Sequence, residues 1–169
     1  MDSTWDKLKR IFIDDHKALT RGYRDLIGLL DDGQLSRAAE LAESIDAQAG
    51  AHIEFEEQHL YPRIREFRGD QYVGKMYHQH QNILHALVAI RRRATNSKPS
   101  PEQIEFWKAR LKEGIDHAAA CGSLLSHLQT LPEPVQADLL EKILELRMTA
   151  RKWSQVGAAP DGFPASSEP

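Results

Sequence analysis

What this chain lacks narrows its reading quickly. It has a single cysteine, Cys121, among 169 residues. No disulfide can therefore form within it, and a reducing compartment, the cytoplasm, is its expected home. Strand signals are scarce: there is no sustained period-two alternation, and no Asn-Gly or Asp-Gly turn between β-branched runs. No apolar stretch approaches the roughly 18 residues that a membrane helix needs. The opening MDSTWDKLKR holds no apolar run of the signal-peptide kind. Excess positive charge is also missing. Lys and Arg number 22 against 25 Asp and Glu, a formal charge of −3, so neither nucleic acid nor an anionic membrane is an expected partner. About one domain of soluble, ordinary composition remains.

What is present is helical periodicity and histidine. A first apolar stripe runs from about Thr4 to Leu30 and breaks at Asp31-Asp32-Gly33. A second runs from about Leu35 to Phe67, with Pro62 expected to kink or end it near Tyr61. After Arg68-Gly69-Asp70 a third continues to about Ala94, and the polar linker Thr95 to Pro99 closes it. Ser100-Pro101-Glu102-Gln103 is a strong helix start, with Ser100 as N-cap and Gln103 reaching back. The fourth helix then runs to about Gln129. Leu131 to Pro134 breaks the chain again, and a fifth helix is expected from about Pro134 to Trp153. The fold expected is all-α, an up-down-up-down four-helix bundle over residues 8–131 with an additional C-terminal helix, 134–153, within one domain of 1–153. The small, polar, proline-containing tail 157–169 is expected to be disordered.

Eight histidines is a high count for this length, and their positions repeat. His16 to His52 spans 36 residues, and His80 to His117 spans 37. Four residues after His52 comes Glu56, and four after His117 comes Cys121. The chain thus reads as two helical hairpins, each with a His on its first helix and a His-x-x-x-(Glu/Cys) pair on its second. Residues i and i+4 share a helix face, and neighbouring bundle helices lie about 8–10 Å apart. Imidazoles turned inward from four helices can therefore meet one acid group around a metal. Imidazole and carboxylate donors suit iron, zinc or manganese.

In this order, His16, His52-x-x-x-Glu56 with a downstream Leu60-Tyr61-Pro62, His80 and His117, the chain resembles the hemerythrin-like (HHE cation-binding) family. The resemblance covers about Leu8 to Leu131 and leaves the fifth helix and tail aside. It implies a hemerythrin-like bundle holding two non-haem irons, bridged by oxide or hydroxide, with zinc or manganese as alternatives. It implies His16, His52, His80 and His117 as ligands and Glu56 as a bridge. It also implies a small partner such as O2, NO or peroxide, or a part in iron handling. Two other classes stay open: an iron-dependent redox enzyme consuming peroxide, and a helical interaction module with a degenerate site and a partner surface on the fifth helix.

The departure is Cys121, which stands where the family carries a second carboxylate. Three outcomes follow: a di-iron site with one carboxylate bridge, a site with a thiolate ligand, or a weakened second position. Glu113 is one turn from His117 and reads as a surface residue. His59 completes a lone Glu-x-x-His and reads as lying outside the ligand set, as do His78, His85 and His127. Tyr23 and Tyr77 read as core, although either phenol is near enough to face a metal-bound oxygen species. Arg91-Arg92-Arg93 reads as a solvated face. The run Ala118 to Ser123 leaves room beside the centre, for a gas ligand or for close helix approach.

Overall fold

The computed structural model describes residues 2–96 and 98–156, without the side chains of 93–96, so the tail 157–169 lies outside the described residues. The described residues are helical, without a strand. Helix α1 is Thr4–Asp31, capped by a Ser3–Asp6 capping box. Helix α2 is Leu35–Phe55, and it passes through a π-helical turn, Glu56–Leu60, into α3, Tyr61–Asn96. The kink or end expected near Pro62 takes the form of a change of pitch just before it, and the helix continues. Within α3 the break expected around Gly69 is present: two helical stretches meet there, with Gly69 at φ 79° and ψ 170°, a conformation suited to a residue without Cβ.

Helix α4, Pro101–Gly122, begins as expected, with Ser100 and Gln103 exchanging cap hydrogen bonds. It stops earlier than the periodicity suggested, and a separate short helix, α5, follows at Leu125–Thr130. The fifth expected helix is likewise shorter. It appears as α6, Glu133–Thr149, ends with Ala150 in a left-handed conformation, and is followed by one turn, α7, Trp153–Val156. Trp153 therefore starts a new element and does not finish the old one.

Helices α1 to α4 pack in a ring, each against its neighbours in sequence and α1 against α4, which is the up-down-up-down arrangement. Apolar side chains fill the ring in two clusters. At one end lie Leu26, Leu30, Ala42, Ile83, Leu87, Trp107 and Leu111. At the other lie Leu8, Phe12, Phe55, Leu60, Met76 and Leu124, covered by Leu139 and Ile143 of α6. Each large side chain buried there contributes roughly 1.5–3 kcal/mol. Between the two clusters every one of the four helices places a histidine.

Past α6 the chain crosses the outside of α2. Trp153 is fully buried in the first cluster. Asp46 accepts hydrogen bonds from the Ser154 backbone N–H and from its hydroxyl, both at 2.7 Å. Arg91 bonds Glu43 and Asp46 at 2.6 and 3.0 Å, so it belongs to this clamp and not to the solvated face expected for it. Lys152 pairs with Glu43, and Arg151 with Glu54. The close crossing requires Gly50, because a Cβ there would overlap the Arg151 carbonyl oxygen. Gly50→Ala is therefore expected to dislodge the strap and lower stability by roughly 1–3 kcal/mol, read as a lower midpoint in thermal denaturation; an unchanged midpoint would show that the strap contributes little.

Candidate metal centre

The polar layer between the two clusters is built from one residue or pair per helix. His16 comes from α1, His52 and Glu56 from α2 and its π-helical turn, His80 from α3 and His117 from α4. All five are buried, Glu56 completely. The Glu56 carboxylate is the focus. Its Oε1 lies 3.4 Å from His16 Nε2 and 3.3 Å from His52 Nε2. Its Oε2 lies 3.2 Å from His80 Nε2, and His80 Nε2 lies 2.9 Å from His117 Nε2. The expected convergence of four imidazoles on one acid is what the fold produces.

Each imidazole turns Nε2 inward because Nδ1 is held from outside. His16 Nδ1 bonds the Phe12 carbonyl at 2.7 Å, and His52 Nδ1 bonds Asp15 at 3.1 Å. His80 Nδ1 bonds Glu57 at 2.9 Å, and His117 Nδ1 bonds the Gln79 side-chain oxygen at 3.0 Å. Four different acceptors thus fix four ring orientations, the outer support that metal-binding histidines generally have. Asp15 also accepts a hydrogen bond from Arg147 of α6 at 2.5 Å, which ties the additional helix to the His52 ring.

Charge divides the layer. Burial opposes protonation of His52, yet the Glu56 charge and Asp15 raise its pKa to about 9. Burial likewise works against His80, and Glu56 and Glu57 raise it nonetheless. His117 goes the other way, lowered to about 4 by burial and by the neighbouring His80 charge. Without a cation, then, His80 donates to a neutral His117. Burial alone would favour the protonated Glu56, but His52 and the other imidazoles hold its pKa well below the usual carboxylate range.

A family model for the hemerythrin HHE cation-binding domain matches residues 8–130. The chain belongs to that family. No curated protein and no solved structure is significantly similar to it. In this hemerythrin-like chain the donors fit a cation by a direct criterion. His16 Nε2, His52 Nε2 and Glu56 Oε1 are buried and form no hydrogen bond, each imidazole nitrogen meeting the carboxylate oxygen only at an ion-pair distance of 3.3–3.4 Å. Buried polar atoms left unpaired are costly, and a cation among them removes that cost. Glu56, His80 and His117 form a second group whose donor atoms lie within 4.8 Å of one another, and His16, Glu56 and Cys121 form another.

Cys121 is fully buried one turn beyond His117, its Sγ 3.5 Å from His117 Nε2. Burial and the Glu56 charge push its thiol up. Beside it lies Tyr61, which sequence reasoning passed over as a helix-end position. The Tyr61 hydroxyl donates to Glu56 Oε2 at 3.1 Å and lies 3.1 Å from His80 Nε2 and 3.3 Å from His117 Nε2. Five residues at 3.6 per turn would put Glu56 and Tyr61 about 140° apart. The π-helical turn removes that offset, its last bond running from the Tyr61 N–H to the Glu56 carbonyl. Pro62 has no N–H for the carbonyl five residues back, that of Glu57, which instead accepts the Tyr77 hydroxyl at 2.6 Å. The signal for Tyr61 was present in Leu60-Tyr61-Pro62; the local change of pitch was not.

Other sequence candidates lie elsewhere, as expected. His59 sits near Phe55, ring centroids 6.4 Å apart, on the side toward α6. His127 stacks on Phe67, His85 is exposed, and Glu113 pairs with Arg110 and Asn82. The small residues Ala118, Ala119 and Gly122 do leave room: with Phe12, His16 and Lys17 they line a groove of about 510 Å³ between α1 and α4. A smaller cleft of about 120 Å³ between α1 and α2 reaches His52. Inside, a void of about 10 Å³ touches all four histidines and Glu56, the space of a single water-sized occupant.

Two outcomes follow. Asp15→Asn is expected to weaken cation binding by roughly 10–100-fold, measured by competition with a chelator, because it frees the His52 ring; unchanged affinity would mean that Asp15 does not orient it. In chelator-treated protein, His52 contributes stability fully below its ordinary value of 6.5 and loses it as the pH rises through about 9. Denaturation midpoints are therefore expected to fall across that interval, less so in His52→Gln, and a flat profile would contradict the assignment.

Proposed function

We propose that this chain is a non-haem iron protein with a di-iron centre that binds or senses O2, NO or peroxide, or handles iron. The observation that carries the reading is the division of Glu56: one buried oxygen faces His16 and His52, and the other faces His80, with His117 in hydrogen-bond contact with His80. A carboxylate shared in this way between two nitrogen pairs is arranged to bridge two cations. His16 and His52 would hold one, and His80 and His117 the other. Nitrogen and oxygen donors suit iron, with zinc and manganese the competing metals. Bound iron would supply reversible redox chemistry and affinity for small oxygen or nitrogen ligands.

The protein's own part is orientation and enclosure. Phe12, Asp15, Glu57 and Gln79 fix the four rings, and the two apolar clusters close the layer at either end of the bundle. The inner void of about 10 Å³ leaves little room beside the donors that would hold the cations. A second reading, an interaction module, draws on α6, where Met148 and Leu144 are exposed beside Leu140.

Elemental analysis of the purified protein, with visible spectra before and after reduction, tests the iron reading. About two irons per chain, as in di-iron bundles, and a visible absorption that bleaches on reduction are expected, together with loss of most iron in Glu56→Gln. Zinc as the main metal, or no metal at all, would overturn it, and a metal-free protein that self-associates through α6 would favour the second reading.

A further inference from the structure

Tyr61 reaches the centre although it is neither one of the four imidazoles nor the shared acid. It is fully buried, and a buried phenol ordinarily settles on one acceptor such as a backbone carbonyl. Here the hydroxyl oxygen instead lies among atoms of the centre: Glu56 Oε2 at 3.1 Å, His80 Nε2 at 3.1 Å, His117 Nε2 at 3.3 Å and Cys121 Sγ at 3.7 Å. The second nitrogen pair, His80 and His117, is also the half in which the chain lacks its expected carboxylate.

We propose that Tyr61 is itself a metal ligand, its phenol oxygen closing the cation position formed by Glu56 Oε2, His80 and His117, in place of the carboxylate that Cys121 replaces. The inference rests on the di-iron reading given above. Three observations support it. The first is the π-helical turn, Glu56–Leu60, which rotates Tyr61 onto the face of Glu56; such turns are uncommon and concentrate at functional sites. The second is fixation. The Tyr61 ring packs edge-on against Tyr77 with centroids 5.2 Å apart, and the Tyr77 hydroxyl is itself tied to the Glu57 carbonyl. Tyr77, a phenol singled out from sequence, thus serves as a brace for the phenol that was not.

The third observation is the comparison with Cys121. Its sulfur reaches His117 Nε2 at 3.5 Å and lies within 4.8 Å of the His16 and Glu56 donor atoms, whereas the Tyr61 oxygen sits within 3.3 Å of three donor atoms at once. Oxygen is also the harder donor, better matched to iron in a nitrogen and oxygen set than a thiolate is. On binding, the phenol O–H bond breaks, an oxygen–iron bond forms, and the proton passes to solvent; no electrons move. Cys121 remains a thiol packed against Leu124 and Leu128.

The test uses the full chain loaded with iron(II) and oxidised in air. Iron content is measured first, then the visible spectrum, then resonance Raman scattering excited in the visible band. Wild-type protein is expected to show phenolate-to-iron(III) charge transfer with tyrosinate ring modes. Tyr61→Phe should lose both and keep its fold by circular dichroism, and Cys121→Ser should keep both. Growth on ring-deuterated tyrosine should shift the same modes in the wild type, and Tyr23→Phe, Tyr72→Phe and Tyr77→Phe should each retain them, which together serve as the test if Tyr61→Phe does not fold. Bound iron without tyrosinate modes, or modes that persist in Tyr61→Phe, would overturn this inference and leave the iron reading standing. No bound iron would overturn both.

Discussion

A carboxylate with no exposed surface, Glu56, is the constraint around which the structure is arranged. An isolated buried charge of this kind costs several kcal/mol even after relaxation, so the fold must surround it with partners. Four helices do so by delivering one imidazole each into the same layer. The requirement reaches outward from there. Rings must be turned the right way, so Phe12, Asp15, Glu57 and Gln79 hold their outer nitrogens. Acids that help to do this must themselves be placed, and Asp15 is held by Arg147 on α6.

The layer also separates two apolar clusters that would otherwise merge. A bundle with continuous apolar faces can slide by a turn with little loss. One with a polar layer cannot, because a shift by one turn would leave Glu56 facing hydrocarbon. The centre and the register of the bundle therefore specify each other. Metal affinity and folding would be correspondingly linked, since the donor atoms His16 Nε2, His52 Nε2 and Glu56 Oε1 form no hydrogen bond within the protein.

Much of this was legible in the sequence, and the reasons are physical. Periodicity of apolar residues marks helices well when they are long, and Ser100-Pro101-Glu102-Gln103 marks a start by hydrogen bonds made within one turn. The ligand candidates were visible because a duplicated spacing projects directly onto helix faces. Tyr61 escaped because its direction depends on a single π-helical turn, and reading 3.6 residues per turn through Glu56–Leu60 points it away from the centre. Asp15, Glu57 and Gln79 escaped because an acid or amide next to a candidate ligand in sequence looks like any polar surface residue until the partner helix is placed. The end of α6 was overestimated because Trp153 continues the apolar pattern, although it does so from a separate turn that is folded back over α2.

The strap that carries Trp153 gives the centre two unequal sides. The indole lies edge-on to the His80 ring, centroids 5.8 Å apart, and with Tyr61 and Tyr77 it walls that flank with aromatic carbon. The opposite flank has the groove between α1 and α4 ending at His16 and the cleft between α1 and α2 ending at His52. These two openings touch His16 and His52, whereas His80 lies under the aromatic flank. Were two cations held as proposed, the openings would meet the ligands of one and not those of the other.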